Sequence, residues 1–193
     1  MKTDIILAGV GGQGILSIAA SLGAAALNEE YYLKQAETHG MSQRGGAVVS
    51  HLRIADYPIY SDLIPIGKAD LILSVEPMES LRYMPYLSAT GSLVTNTAPF
   101  ENIPEYPDLE KSFQELNGKL NVIRIDADKI ARKVGNSKAS NMVMLGAASP
   151  FISIKDDIIV QGIKTIFQKK GEEIVEMNIE AFRAGRKFAK GHN

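Results

Sequence analysis

The sequence predicts an α/β fold: one three-layer domain with a mainly parallel sheet and helices gathered towards the C-terminal end. Three observations predict it. Short apolar runs, of the kind buried on both faces of a parallel sheet, recur at 5–8, 69–75, 92–97 and 120–125. The first run leads through a cluster of glycines into apolar residues at helical spacing, and everything from Ser137 onward reads as helix or helix connection. With 193 residues and 45% hydrophobic content, the chain can bury a sizeable core, and residues 1–193 suit one domain better than two.

Ile5-Ile6-Leu7-Ala8 is the first strand, followed by Gly9-Val10-Gly11-Gly12-Gln13-Gly14. Ile15, Leu16, Ile18, Ala19, Leu22 and Ala26 then mark a helix. The glycines at 9, 11 and 14 match G-x-G-x-x-G, where missing side chains permit a tight turn, close approach to a ligand and helix packing on the strand. The start is therefore Rossmann-like, and Gly9, Gly11, Gly12, Gln13 and Gly14 are candidate cofactor-binding residues on a helix N-terminus able to hold an anion. The same glycines have the frame of a P-loop, but Ile15 and Leu16 stand where Lys and Ser/Thr are required, so that alternative falls. Dinucleotide binding needs an acidic residue about 20 positions further on, at the end of the second strand. Glu37 lies roughly there.

Tyr31 to Ala36 is the second strand candidate, and Glu37-Thr38-His39-Gly40-Met41-Ser42-Gln43-Arg44-Gly45-Gly46 follows it. A connector needs only turn residues, whereas this loop adds a carboxylate, an imidazole, an amide and a guanidinium. Glu37, His39 and Arg44 are the candidate catalytic residues, since a histidine beside a carboxylate and an arginine can exchange protons near neutral pH. Gln43 joins the ligand-binding set. Ala47 to Ile54 is rich in β-branched residues and reads as a strand in which His51 is a hydrogen-bonded strand residue.

A loop from Asp56 to Gly67 leads to the strand 69–75, and Glu76-Pro77 opens a helix through about Leu87, with proline suited to the first turn. The strand Ser92–Thr97 ends in small polar residues at the edge where α/β sheets bind ligands, which makes Asn96 a weak candidate there. Residues 98–108 carry three prolines and read as a surface excursion before a short helix to Leu116 and an Asn117-Gly118 turn. Asp126 or Asp128 caps the helix after the strand 120–125. The segment 138–148 is helical and apolar nearly all round, so it is buried in a core or against another chain; Asn141 near its start caps the helix or aims at a ligand. Asp156 to Lys170 is amphipathic and stops at Gly171, and the last helix, Glu172 to about Lys190, begins acidic and ends basic, as its dipole prefers.

Composition narrows the function. A net charge of -1 and a pI near 6.3 give no footprint for nucleic acid or an anionic membrane surface. The N-terminus lacks a secretory signal, and the charge-free run from Ala139 to Ile154 is too short for a membrane span, so a soluble, cytoplasmic protein is expected. No cysteine is present, so Cys-ligated zinc, disulfides and iron–sulfur clusters have no ligands in this chain. Neither a G-x-S-x-G elbow nor an H-E-x-x-H pair occurs. An isolated nucleophile or electron sink is missing, and the chain has the makings of part of a site.

Gly9 to Gly14 opening a helix, Glu37 to Gly46 running into Val48-Val49-Ser50-His51, and Ser140-Asn141-Met142-Val143-Met144-Leu145-Gly146-Ala147 together resemble the gamma-type domain of the 2-oxoacid:ferredoxin oxidoreductases. The motifs occur in the family's order and span most of the chain. The resemblance implies the small subunit of a heteromeric enzyme. A large alpha subunit would carry thiamine diphosphate, magnesium and the iron–sulfur clusters; indolepyruvate or a related aryl-2-oxo acid would be decarboxylated oxidatively to an acyl-CoA, with CoA as cosubstrate and ferredoxin reduced. The polar loop would face the partner's active site, with Arg44 on a carboxylate or CoA phosphate and Glu37 or His39 orienting groups or relaying protons. Two rivals remain: a stand-alone NAD(P)-binding Rossmann protein, with Glu37 on the ribose, and a non-catalytic scaffold subunit.

Overall fold

The computed structural model describes residues 1–37, 45–101, 105–116 and 118–191. Six strands form one sheet: β1 (Lys2–Val10), β2 (Tyr32–Glu37), β3 (Ala47–Ala55), β4 (Ala69–Ser74), β5 (Leu87–Asn96) and β6 (Asn121–Ile125), in the order β2-β3-β1-β4-β5-β6. β1, β4, β5 and β6 pair in parallel, while β3 runs antiparallel to both neighbours, so the expected mainly parallel sheet is present with one reversed strand inside it. The central strands are apolar on both faces because both are covered; β1 is buried from Thr3 to Val10.

One face carries α1 (Ile15–Asn28), α4 (Ala127–Lys133), α5 (Ser140–Ala148), α6 (Asp156–Phe167) and α7 (Glu172–Lys190). The other carries the shorter α2 (Pro77–Arg82) and α3 (Glu110–Leu116). A large apolar core of Ile5, Leu7, Leu22, Met142, Leu145 and Phe182 lies on the first side, and a smaller one of Ile6, Ile64, Ile72, Leu93 and Phe113 on the second. Three layers result, unequal in thickness.

Local chemistry sets the ends of the elements. Ile15, Ile18, Ala19 and Leu22 put one stripe of α1 against the sheet. The helix then closes with Glu30 in the left-handed region (φ 57°), its N–H donating to Leu27 O while the Tyr31 N–H donates to Ala26 O, which satisfies two of the last carbonyls. Pro77 starts α2 as expected, and the Glu76 carboxylate caps it by accepting the Glu79 N–H at 2.8 Å. The helix stops at Arg82, short of the expected Leu87: Pro85 has no N–H to continue it, and residues 84–86 form a tighter 3-10 turn that delivers the chain into β5 at Leu87, five residues before the expected Ser92. Asp126, rather than Asp128, caps α4 through the Lys129 N–H.

α5 is the expected all-apolar helix, with every residue from Asn141 to Ala148 buried. It sits among α1, α4, α7 and the sheet within this chain. Its crossing with α7 is reciprocal: a Cβ on Gly146 would stand 1.9 Å from Phe182 O, and one on Gly185 would stand 1.9 Å from Val143 O. The backbones touch there, and no rotamer change relieves such a contact. His51, on β3, is buried; its Nδ1 accepts the Ile64 N–H at 3.1 Å and its ring meets Tyr86 edge-on at 5.3 Å, so it is the hydrogen-bonded strand residue expected. Arg53, next on that face, pairs through Nε with the buried Asp4 at 2.8 Å.

Two outcomes follow from this packing. Gly146→Ala and Gly185→Ala each lower unfolding stability by roughly 1–3 kcal/mol through overpacking, measured by urea denaturation, while Gly118→Ala, where the added Cβ meets open space but φ is 75°, costs less. Burial holds the His51 pKa below its ordinary value of 6.5. The unfolded state therefore binds more protons as pH falls through 6.5, and stability present above that pH is lost below it; His51→Gln, which keeps an acceptor for Ile64, flattens the slope of unfolding free energy between about pH 7 and 5.

Candidate functional site

The site is built where β1 ends. Past Val10 the antiparallel ladder between β1 and β3 continues for one more pair: the Gly11 N–H donates to Gly46 O at 2.9 Å and the Gly45 N–H donates to Gly11 O at 3.3 Å. The glycine turn and the end of the polar loop are thus bonded to each other. Inside the turn, Gln13 folds back so that its Oε1 accepts the Val10 N–H at 2.8 Å, and Gly14, at φ 83°, delivers the chain into α1. Gly14 is also crowded: a Cβ there would meet Asn141 Nδ2 at 2.5 Å.

Asn141 explains that crowding. It sits in the first turn of α5, 8% exposed, with Nδ2 donating to Gly14 O at 3.1 Å and Oδ1 accepting the Met142 N–H at 3.0 Å. Its amide joins the glycine turn to the most buried helix in the molecule. Ala139, not Asn141, occupies the N-cap position of α5.

α1 has no acidic residue in its first turn and no side-chain cap, and the N–H groups of Ile15 and Leu16 have no partner among the described residues. They open beside a depression of about 260 Å³ lined by Val10, Gly11, Gly12, Gly14, Ile15, Leu16 and Val48. The arrangement offers orphan donors and a positive dipole end to an anion and an apolar wall to whatever the anion is attached to.

Of the polar loop, Glu37 ends β2 opposite Ser50, and Gln35 Nε2 donates to its carboxylate at 3.0 Å and to Ser50 Oγ at 3.2 Å. Gly45 and Gly46 return the chain to the glycine turn. His39, Gln43 and Arg44 lie outside the described residues, as does the rest of 38–44. The loop joins β2 to β3, which pair as antiparallel neighbours. Because β3 lies between β2 and β1, Glu37 is two strand spacings, about 10 Å, from β1. In a dinucleotide-binding sheet the acidic residue ends the strand next to the first, where it reaches the ribose. That placement is absent.

Asn96, a weak candidate from its place at the sheet edge, is occupied: Nδ2 donates to Asp128 at 2.9 Å, and Oδ1 accepts the N–H groups of Thr97 at 2.9 Å and Ala127 at 3.1 Å. It splices β5 to α4. The edge residue that sequence reasoning passed over is Glu76, fully buried after β4. Its Oε1 accepts from the Tyr106 hydroxyl and the Phe100 N–H, so one carboxylate caps α2 and ties down both described ends of the proline-rich excursion. Burial and that bond push the Tyr106 phenol well above its ordinary range. The only signal for it was its position before Pro77. Among the described residues no His/Cys/Asp/Glu group could hold a metal ion, and no helix is long and apolar enough to cross a membrane.

Over residues 4–188 the chain matches the family described as Pyruvate ferredoxin/flavodoxin oxidoreductase. It is 39% identical to Indolepyruvate oxidoreductase subunit IorB of Pyrococcus horikoshii, across 97% of this chain and 96% of that one. It is 33% identical to the subunit of the same name in Methanothermobacter thermautotrophicus, across 96% of each. The fold is shared with the gamma subunit of a keto/oxoacid ferredoxin oxidoreductase from Geobacter sulfurreducens (TM-score 0.73, 22% identity, 98% of this chain and 99% of that one). A 2-oxoglutarate:ferredoxin oxidoreductase from Magnetococcus marinus, solved with 2-oxoglutarate, coenzyme A and succinyl-CoA bound, also contains the fold (TM-score 0.80, 23% identity), and this chain spans 31% of it. With nearly its whole length matched to the family and its relatives this similar end to end, the chain belongs to the pyruvate ferredoxin/flavodoxin oxidoreductase family.

Proposed function

We infer that this chain is the small subunit of an indolepyruvate, or closely related 2-oxoacid, ferredoxin oxidoreductase. The complex converts an aryl-2-oxo acid and CoA to an acyl-CoA and carbon dioxide while reducing ferredoxin. The observation that supports this most is the end-to-end similarity to subunits named for indolepyruvate, at 39% identity in the Pyrococcus horikoshii chain. Thiamine diphosphate with magnesium supplies the electron sink for decarboxylation and iron–sulfur clusters carry the electrons, all on the large alpha subunit. Nothing in this chain suits a cluster, since it has no cysteine thiolate to offer. It works in the cytoplasm as part of that complex.

The chain's own contribution is made at the sheet edge. The loop that returns to the glycine turn carries Glu37, His39, Gln43 and Arg44 and presents them to the partner's active site. Arg44 holds a carboxylate of the oxo acid or a phosphate of CoA in a forked pair of hydrogen bonds, and Glu37 and His39 orient that group and hold or move a proton. The open N-terminus of α1, with Gly11, Gly12 and Gly14, receives the phosphate end of CoA, and Val10, Leu16 and Val48 receive its apolar parts. Gly9, Gln13 and Asn141 shape that turn from within.

The test is reconstitution of the two-subunit complex, followed by viologen or ferredoxin reduction with indolepyruvate and CoA. Turnover that needs both chains is expected; a chain recovered alone, binding NAD(P)H tightly and without effect on reduction, overturns the heteromer. In the reconstituted complex, Arg44→Ala and His39→Ala leave assembly intact on size-exclusion chromatography and lower kcat by roughly 10² or more. Full turnover in both variants would assign the chain a scaffold role.

A further inference from the structure

A second opening lies on the other flank of Gly14. It is a cleft of about 320 Å³ that shares only Gly14 with the depression at the front of the turn, and four separate segments build it. Ser17 comes from α1, Asn136 and Lys138 from the approach to α5, Lys170 from the turn after α6, and Asn178 from α7. Among the described residues its only ionisable lining groups are the two lysines, in a chain whose net charge is -1.

Neither lysine makes an ion pair among the described residues; Lys170 rests over the Phe167 ring at 5.3 Å. The other groups are donors looking for work. Asn136 spends its Oδ1 on the Lys138 N–H at 3.2 Å, and neither its NH₂ nor the Ser17 Oγ makes a hydrogen bond among the described residues. The neighbouring helices α1 and α5 both begin here with no acidic residue in the first turn and no side-chain cap.

The deepest member is a separate sign of a missing ligand. Asn178 is 4% exposed on the buried face of α7, and its Nδ2 donates back to Ile174 O at 2.7 Å. Asn178 lines the cleft, and its Oδ1 accepts nothing from the described residues. An unpaired amide oxygen on a nearly buried residue, in a cleft also lined by several donors, is suited to a group that takes hydrogen bonds on most of its oxygens and gives one back. Hydrogen phosphate does both, and so does a dianionic phosphate ester with a hydroxyl on the skeleton beside it.

We propose that this cleft binds a phosphate group, with Lys138, Lys170, Asn136 and Ser17 donating to its oxygens and Asn178 Oδ1 accepting from a hydroxyl on or beside it. Charge favours phosphate over carboxylate: a phosphate monoester carries about -1.5 to -2 near neutrality and matches two lysines, whereas one carboxylate leaves a lysine unmatched. The phosphate belongs either to a CoA molecule reaching round Gly14 or to a separate phosphorylated ligand. The site stands on this chain alone and does not depend on the oxidoreductase activity inferred above.

Isothermal titration of the full chain with inorganic phosphate, against sodium chloride at equal ionic strength, tests it. Saturable binding is expected, weakened about tenfold or more, or 1.4 kcal/mol, by Lys138→Met and by Lys170→Met, with a similar loss in Asn178→Leu. Both lysines are exposed, so their variants keep the wild-type melting profile and decide the matter even if Asn178→Leu fails to fold. Competition by CoA but not by dephospho-CoA assigns the phosphate to CoA, and absence of competition assigns it to a separate ligand. Absence of phosphate binding, binding reproduced by chloride, or affinity unchanged in both lysine variants overturns the site.

Discussion

The hydrogen-bonded pair between Gly11 and Gly45–Gly46 is the constraint on which the functional end of this molecule depends. A glycine turn and a polar loop are separated by some thirty residues of helix and strand. They share one edge because the β1–β3 ladder runs on past both strands. The bonds are backbone to backbone, so they fix position without prescribing side chains. They also consume the Gly11 N–H. What remains unpaired at this edge is the first turn of α1, where the N–H groups of Ile15 and Leu16 have no partner among the described residues.

That edge is anchored from beneath as well. Asn141 holds the carbonyl of Gly14 from the first turn of α5, and α5 is fixed in turn by backbone contact with α7 at Gly146 and Gly185. A path of short, stiff contacts therefore runs from α7 to the glycine turn: backbone meets backbone where Gly146 faces Phe182 and Gly185 faces Val143, and one short amide spans the rest. On the far side of β4, Glu76 does the comparable task for the proline-rich excursion, through Tyr106 and the Phe100 N–H. A buried carboxylate with three donors is a costly device, and it is satisfied in full.

Legibility in the sequence followed the range of the interactions. β1, α1, β4 and α7 were readable because apolar period, capping residue and glycine or proline stop all lie within a few residues of one another. The insertion of reversed β3 between β2 and β1 was not readable, since strand order is decided by which faces bury each other across the whole chain. The early end of α2 was written in Pro85, a residue whose missing N–H breaks a helix that Leu81 and Met84 would otherwise extend. At the site, the glycine turn and polar loop were visible as composition. The partner of Asn141 was not, because a side chain aimed at a carbonyl 127 positions away leaves no local pattern.

The reversed strand also bears on chemistry. A Rossmann sheet places its second strand beside the first, so that one carboxylate meets the ribose while the helix N-terminus meets the pyrophosphate. Here β3 occupies that place and carries Glu37 a further strand away, which separates the acid from the anion site by more than a ribose can span. Polar groups exposed to water are screened and hold charged partners weakly. They gain strength only when a second surface closes over them and excludes that water. A strand order that disfavours self-contained dinucleotide binding is thus compatible with the half-site proposed above, in which a partner surface supplies the cover.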